Sequence, residues 1–373
     1  MSNLFELVSM SGFLYLTPQM LVMWAIAGVL FYLAIARGFE PLLLLPIGFG
    51  ILLANLPLTG LMEPGQGLIW RFYQYGIHWE IIPPLIFLGV GAMTDFGPVL
   101  ANPKLLVLGA GAQVGVYITF FSAYLFGFDL SEAAVIGIIG GADGPTTIYL
   151  GAKLAPALLG SAAVAAYSYM AMVPIVQPPV MRLLTTQKER RIRMKTLRKV
   201  GRLEKILFPF LAAGVIILLI PASAPLMAMF MLGNIFRESR VVERLNNAAQ
   251  NELMNISTIF LGLPVGATMN AEAFLRPDVI FIFVLGLVAF MISTGSGVLI
   301  AKFMNLFLKE GQKINPLVGA AGVSAVPMAA RVVHAEGARA DKKNYLLMHA
   351  MGPNVAGVIG TVVAAGIFLT LLG

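Results

Sequence analysis

The segment 131-SEAAVIGIIGGADGPTTIYL-150 decides how the chain is read. Its first half is apolar, its middle carries three glycines and a proline around Asp143, and its second half regains hydroxyls and a tyrosine. Glycine loosens a helix and proline removes a backbone donor, so the segment is predicted to be a helix broken at mid-length. Exposed backbone at membrane depth is tolerated only where it is buried in protein or lines a cavity. A carboxylate inside so apolar a stretch is costly, and such residues are functional candidates by default. A second segment, 315-NPLVGAAGVSAVPMAARVVH-334, has the same order of apolar half, Gly/Pro centre and polar end.

The surroundings are those of a membrane protein. Of 373 residues, 58% are hydrophobic and 12% charged, against about a quarter charged in soluble domains. Long apolar blocks approach the roughly 20 residues that cross a bilayer core. Spans are predicted near 19–36, 42–58, 81–97, 104–127, 155–181, 206–221, 223–236, 253–270, 278–308 and 344–372, with a further helix suggested over 4–16. That gives nine to eleven crossings. The 39 Gly and 22 Pro fit a transporter with broken helices better than an inert anchor. The fold class is therefore all-α: a polytopic transmembrane helical protein with inverted repeats and two re-entrant broken segments.

Self-comparison supports the repeats. Ile86-Phe87-Leu88-Gly89 returns as Ile259-Phe260-Leu261-Gly262, and Gly91-Ala92 as Gly266-Ala267. Gly137, Gly140 and Pro145 stand opposite Gly319, Gly322 and Pro327, and Met170-Ala171-Met172-Val173-Pro174 opposite His349-Ala350-Met351-Gly352-Pro353. The predicted organisation is N-terminal spans over 1–80, a first repeat at 81–182 containing 131–150, a basic loop with linking spans at 183–252, and a second repeat at 253–373 containing 315–334. Five full spans between the repeats invert the second.

Charge agrees with the inversion. The net charge of +7 is concentrated in 188-KERRIRMKTLRKVGRLEK-205. This run is read as a cytoplasmic loop obeying the positive-inside rule, not as a nucleic-acid surface. Arg237, Arg240, Lys309, Lys313, Arg339 and Lys342 fall on the same predicted side, and Glu80, Asp129 and Glu132 on the other. With no cysteine, disulfides and thiolate chemistry are excluded. The N-terminus carries Glu6 and no basic region, so no cleaved signal is expected.

The oxygens of Asp143, Thr146 and Thr147, with freed carbonyls, suit a small hard cation. Asp143 is equally placed to cap the half-helix after Gly144-Pro145. Asn315 and Ser324 supply neutral oxygens in the second segment, for a second cation site or merely for local backbone. Arg331 could grip a carboxylate in a bidentate fork or snorkel to the interface. Tyr167 and Tyr169, flanking Ser168, could relay a proton or simply pack. The histidines lack metal-ligand spacing, and no ATP motif is present.

The motif Gly140-Gly141-Ala142-Asp143-Gly144-Pro145-Thr146, with 315-NPLVG-319, 324-SAVPMAAR-331 and 352-GPNVAG-357, resembles the β subunits of sodium-translocating, biotin-dependent decarboxylases. The resemblance covers most of the chain. It implies a carboxybiotin decarboxylase that consumes a proton and drives Na+ outward. It implies Na+ ligands at Asp143, Thr146, Asn315, Gly319 and Ser324, catalytic roles for Asp143, Tyr169 and Arg331, and carboxybiotin contacts at Arg331 and Asn354. Implied partners are a carboxyltransferase α subunit, a biotin carrier subunit carrying carboxybiotin, and a small membrane-anchoring subunit. A β homotrimer with elevator-like movement in the bacterial inner (cytoplasmic) membrane is also implied. A secondary Na+-coupled carboxylate transporter is the alternative. The chain's compactness leans towards the acyl-CoA members over the oxaloacetate enzyme.

Overall fold

A computed structural model describes residues 11–274, 276–309 and 311–373. The helix suggested over 4–16 falls mostly outside the described residues, and its described part is one 3₁₀ turn, Gly12–Tyr15. Among the described residues the chain is helical throughout, with no strand.

Local signals set the helix ends. Helix α1 (Pro18–Arg37) begins where the Thr17 hydroxyl accepts the Met20 N–H at 3.3 Å, and ends at Gly38 with φ +64°. The chain turns into α2 (Pro41–Ala54), and later into α3 (Ile82–Met93), α4 (Lys104–Leu125), α5 (Leu130–Ile139) and α6 (Gly144–Leu154). Then come α7 (Leu159–Leu184), α8 (Arg202–Leu219), α9 (Ala224–Ser239), α10 (Met254–Ala267) and α11 (Pro277–Phe307). The last two are α12 (Met328–Ala340) and α13 (Leu347–Leu372).

Among the described residues, four helices are long and apolar enough to cross a bilayer alone: α1, α4, Val279–Phe307 within α11, and α13. Two bent pairs raise the number to six: Leu68–His78 with α3, bent by 62°, and the two halves of α7, bent by 64°. The nine to eleven crossings expected from hydropathy exceed this. The 14 residues of α2 reach about 21 Å at 1.5 Å per residue, short of the ~30 Å core. Helix α8 starts with Arg202, Glu204 and Lys205 inside its bounds.

Both broken segments are present. In the first, an Asp129–Glu132 capping box starts α5, the chain breaks at Gly140-Gly141-Ala142, and α6 leaves with Asp143 as its cap. Ala142 takes φ +53°, a left-handed conformation that costs an alanine about 1–2 kcal/mol. In the second, a 3₁₀ run, Pro316–Gly322, replaces the expected α-helical first half. The run packs backbone to backbone on α11, where a Cβ on Gly319 would fall into the Gly297 carbonyl. The Val326–Pro327 bond is cis, and α12 follows.

The packing comes in matched pairs. Helix α9 lies on α3 as α2 lies on α10, α7 on α11 as α13 on α4, and α5 on α4 as the 3₁₀ run on α11. Glycines allow the first two approaches. A Cβ on Gly91 or Gly233 would strike the carbonyls of Phe230 or Leu88, and one on Gly50 or Gly266 those of Leu263 or Ile47. Without a hydrophobic drive between helices in lipid, such close backbone contact is a main source of association.

The charges sort by face. The ends of α3, α7, α9, α11 and α12 meet the basic loop: Lys205 pairs with Asp95 (2.7 Å), Arg193 with Asp341 (2.6 Å) and Lys302 with Glu189 (3.1 Å). Arg182 forks onto Glu336 from the end of α7. At the far end of α6, Lys153 pairs with Glu80 (3.1 Å).

Candidate functional site

The two breaks meet. The Ser324 N–H donates to the Gly141 carbonyl at 2.8 Å, joining the tip of one broken segment to the tip of the other. Beside this joint sits Asp143, 5% exposed and without an ion pair among the described residues. Its Oδ1 accepts the Thr146 N–H at 3.1 Å, the cap that starts α6. Its Oδ2 accepts the Thr361 hydroxyl at 2.6 Å. Thr361 lies on α13, and its Oγ1 is 2.9 Å from Ser324 Oγ. Because the one Thr361 proton goes to Asp143, Ser324 is the donor in that second bond. The chain of bonds runs Ser324 to Thr361 to Asp143 and ties three elements to one carboxylate.

Two further oxygens complete the surroundings. Thr146 Oγ1 is buried without a hydrogen-bond partner, as is the Tyr167 hydroxyl. The Tyr167 ring packs on Gly144 so closely that a Cβ there would overlap it. The set of carboxylate, hydroxyl and carbonyl oxygens is hard throughout and suits an alkali cation. Among the described residues no three His, Asp or Glu converge as a transition-metal site needs. A buried carboxylate with hydrogen bonds but no counter-charge is strongly unfavourable, by several kcal/mol, until a cation or proton joins it.

Of the residues expected at the site, Asp143, Thr146 and Ser324 come together. Thr147 caps the same turn, its hydroxyl donating to the Asp143 carbonyl at 2.7 Å. The others lie apart. The Tyr169 hydroxyl donates to the Phe283 carbonyl on α11, so Tyr167 is the tyrosine packed against the residue next to Asp143. Gly319 sits at the crossing with Gly297. Asn315 donates through Nδ2 to the carbonyls of Arg190 and Ile192, both at 2.9 Å, and accepts the Leu317 N–H at 3.1 Å, so it pins the basic loop. Arg331 is exposed on the first turn of α12 and pairs with no described residue. Asn354 donates to the carbonyls of Ala321 (3.1 Å) and Val323 (2.7 Å), leaving a buried Oδ1 without a partner.

Thr361 is the participant that motif reasoning missed. Its only signal is a hydroxyl in the otherwise apolar run 355–369, two turns beyond Asn354 on the same helix face. Nothing local tells such a threonine from one bonding its own helix, which Thr361 can also do through Val358 O at 3.0 Å.

Comparison with known proteins follows the geometry. The family described as the Na+-transporting oxaloacetate decarboxylase beta subunit matches residues 19–372. The chain is 58% identical to the methylmalonyl-CoA decarboxylase subunit beta of Veillonella parvula, over 98% of this chain and 97% of that one. It is 56% identical to the glutaconyl-CoA decarboxylase subunit beta of Acidaminococcus fermentans, over 97% and 96%. With the oxaloacetate decarboxylase beta chain of Klebsiella pneumoniae it shares 49% identity, over 99% of each.

Proposed function

This chain belongs to the family of β subunits of Na+-transporting decarboxylases, and from that premise we propose that it decarboxylates carboxybiotin and exports Na+ through Asp143. The observation that carries the proposal is a carboxylate buried at the meeting of two broken helices with no counter-charge among the described residues. Na+ and H+ compensate the same charge, so Asp143 alternates between them. Bound carboxybiotin supplies a labile N–carboxylate bond whose cleavage releases CO2 and leaves a nitrogen that takes up one proton.

The chain's own residues prepare the ion's place. Asp143 and Ser324 offer oxygens from the two breaks, and Thr361 and Thr146 add two more. When a cation arrives, the Thr361 proton turns to Val358 O (3.0 Å) or Gly357 O (3.3 Å), freeing its lone pairs for the ion. A second cation position at Asn315 and Gly319, and a proton or Na+ role for Tyr169, belong to the same proposal. Arg331, which pairs with no described residue at the start of α12, is the proposed carboxybiotin contact, together with Asn354.

The basic face is assigned to the cytoplasm of the bacterial inner membrane by the positive-inside rule. There the chain meets a carboxyltransferase α subunit, a biotin carrier and a small membrane-anchoring subunit, in a β homotrimer. The 81–182 and 253–373 repeats move against each other around the joined tips. Identities of 56–58% with the acyl-CoA relatives, over alignments of 388, 367 and 364 residues, against 49% over 429 with the oxaloacetate one, favour an acyl-CoA substrate for the complex. Asp143→Asn in the purified complex tests the core of the proposal. It is expected to abolish both Na+-stimulated decarboxylation and ²²Na+ uptake into vesicles, and retention of both would refute it.

A further inference from the structure

Residues 192–200 run without helix or strand along the basic face. Two amides hold this strap to the body: Asn344 donates to the Arg190 and Ile192 carbonyls at 3.0 and 3.2 Å, alongside Asn315. Between the strap, the turn after α3 and the start of α13 lies a chamber of about 720 Å³. That volume falls within the roughly 300–1,000 Å³ of small-molecule sites.

Charge in this chamber is one-sided. Five cationic side chains line it, Arg193, Arg198, Lys199, Lys205 and Lys343, against one carboxylate, Asp95. Asp95 is already taken by Lys205 at 2.7 Å. Asp341 and Glu204, which hold Arg193 and Arg198 at 2.6 Å each, lie outside the lining. Lys199 and Lys343 are exposed and pair with no carboxylate among the described residues, so two positive charges in the lining stand uncompensated. Across Met194, a smaller chamber of about 260 Å³ is lined by three more lysines, Lys104, Lys195 and Lys313, and by no described carboxylate. A concave surface of one sign with low-dielectric walls focuses its field and concentrates counter-ions, here anions.

The chamber's level in the fold selects the carrier of that anion. Met348 sits on the first turn of α13, a helix long and apolar enough to cross the bilayer, and Tyr345 comes just before it. Both line the chamber and stand open, 50% and 74% exposed. Tyrosine is enriched at the level of lipid headgroups. Apolar groups beside unpaired lysines fit an amphiphile, with phosphate oxygens for the lysines and glycerol and the first methylenes for Leu197, Tyr345 and Met348. We propose that this chamber seats the phosphodiester headgroup of an anionic phospholipid from the leaflet on the basic face, with Lys199 and Lys343 donating to its phosphate oxygens. Lysine binds phosphate as a point charge, and basic pockets between spanning helices recur as seats for such headgroups. The inference goes beyond the carboxybiotin reading and does not depend on it. It ties lipid to the ion path: the strap that supplies Lys199 is pinned by Asn315, and Asn315 caps the 3₁₀ run that leads to Ser324.

The test uses the purified, delipidated complex in a neutral detergent. Lysine acetylation by N-acetoxysuccinimide is followed by mass spectrometry at Lys199 and Lys343, with Lys188, exposed but outside the chamber's lining, as control. Phosphatidylglycerol in mixed micelles should slow acetylation of Lys199 and Lys343 at least about fivefold, and that of Lys188 less than about twofold. Phosphatidylcholine, and inorganic phosphate at the same concentration, should leave all three unchanged. Equal protection by phosphatidylcholine or phosphate, equal protection at Lys188, or no protection overturns the seat. Lysines already shielded before lipid is added overturn it too, because a partner subunit then fills the chamber. In native mass spectrometry of the complex, Lys199→Gln with Lys343→Gln should weaken the tightest phosphatidylglycerol binding about 25-fold, at about fivefold per lysine. Lys199→Arg with Lys343→Arg keeps both charges and should stay within about threefold of the parent. A glutamine pair that binds as tightly as the parent refutes the assignment. Neither readout uses decarboxylation, so failure here is distinct from failure of the Asp143 test.

Discussion

Thr361→Val isolates the contribution of the residue that no motif pointed to. Valine keeps the branched shape, so the methyl that packs against Gly141 remains in place. What disappears is the hydroxyl 2.6 Å from Asp143 Oδ2 and 2.9 Å from Ser324 Oγ. A hydrogen bond to a charged group contributes about 1.5–3 kcal/mol net. At about 1.4 kcal/mol per tenfold, its loss shifts an equilibrium by one to two decades. Removing the oxygen also takes one ligand from a bound Na+ and sets a methyl in its place, so the cation-bound state loses most. The half-saturating Na+ concentration for decarboxylation should therefore rise about 10- to 100-fold. Thr361→Ser, which keeps the hydroxyl, should stay within about threefold of the parent. The assay is initial decarboxylation rate against Na+ in the purified complex at constant ionic strength. A Thr361→Val complex with the parent's Na+ dependence would refute the argument, because Asp143 would then be served without α13.

Other predictions concern the scaffold. Burial acts to raise the Asp95 carboxyl, but the Lys205 hydrogen bond, the Gly97 N–H and the charges of Lys205 and Arg237 outweigh it and hold the group below its ordinary value. A depressed folded value means the stabilisation is present above the unfolded value of 3.8 and is lost as pH falls through the folded one. The thermal unfolding midpoint of the solubilised protein should thus fall on acidification below about pH 5, with a shallower slope in Lys205→Met. Gly91→Ala places a methyl in the Phe230 carbonyl, and Gly266→Ala one in that of Ile47; each should cost about 1–3 kcal/mol, read as a lower unfolding midpoint. Asn315→Leu removes two of the four amide bonds on the Arg190 and Ile192 carbonyls, so trypsin should cut between 191 and 199 several-fold faster.

Membrane insertion, the two breaks and the identity of the buried acid were all legible from the chain because each is a local property. A Gly/Pro cluster weakens a helix wherever it lies, and an aspartate amid alanine, glycine and isoleucine announces its own cost. The sorting of basic residues to one face was legible too, since it depends on counting turns along the chain. Length was less so. Apolar composition predicted spans at α2 and α8, and the helices there hold 14 residues and 18 residues, the latter with three charges at its start.

Only the tertiary structure decided who shares the site. Asn315 and Ser324 are nine residues apart, yet a 3₁₀ run sends one to the basic loop and the other to Asp143. Tyr167 and Tyr169 are two residues apart on one helix, about 200° around its axis, so one packs beside the carboxylate's turn and the other bonds α11. Thr361 reaches Asp143 across 218 positions because α13 packs on both breaks. The sequence determines which groups are costly to bury; which partner relieves each cost depends on distances of under 3 Å that close packing alone brings about.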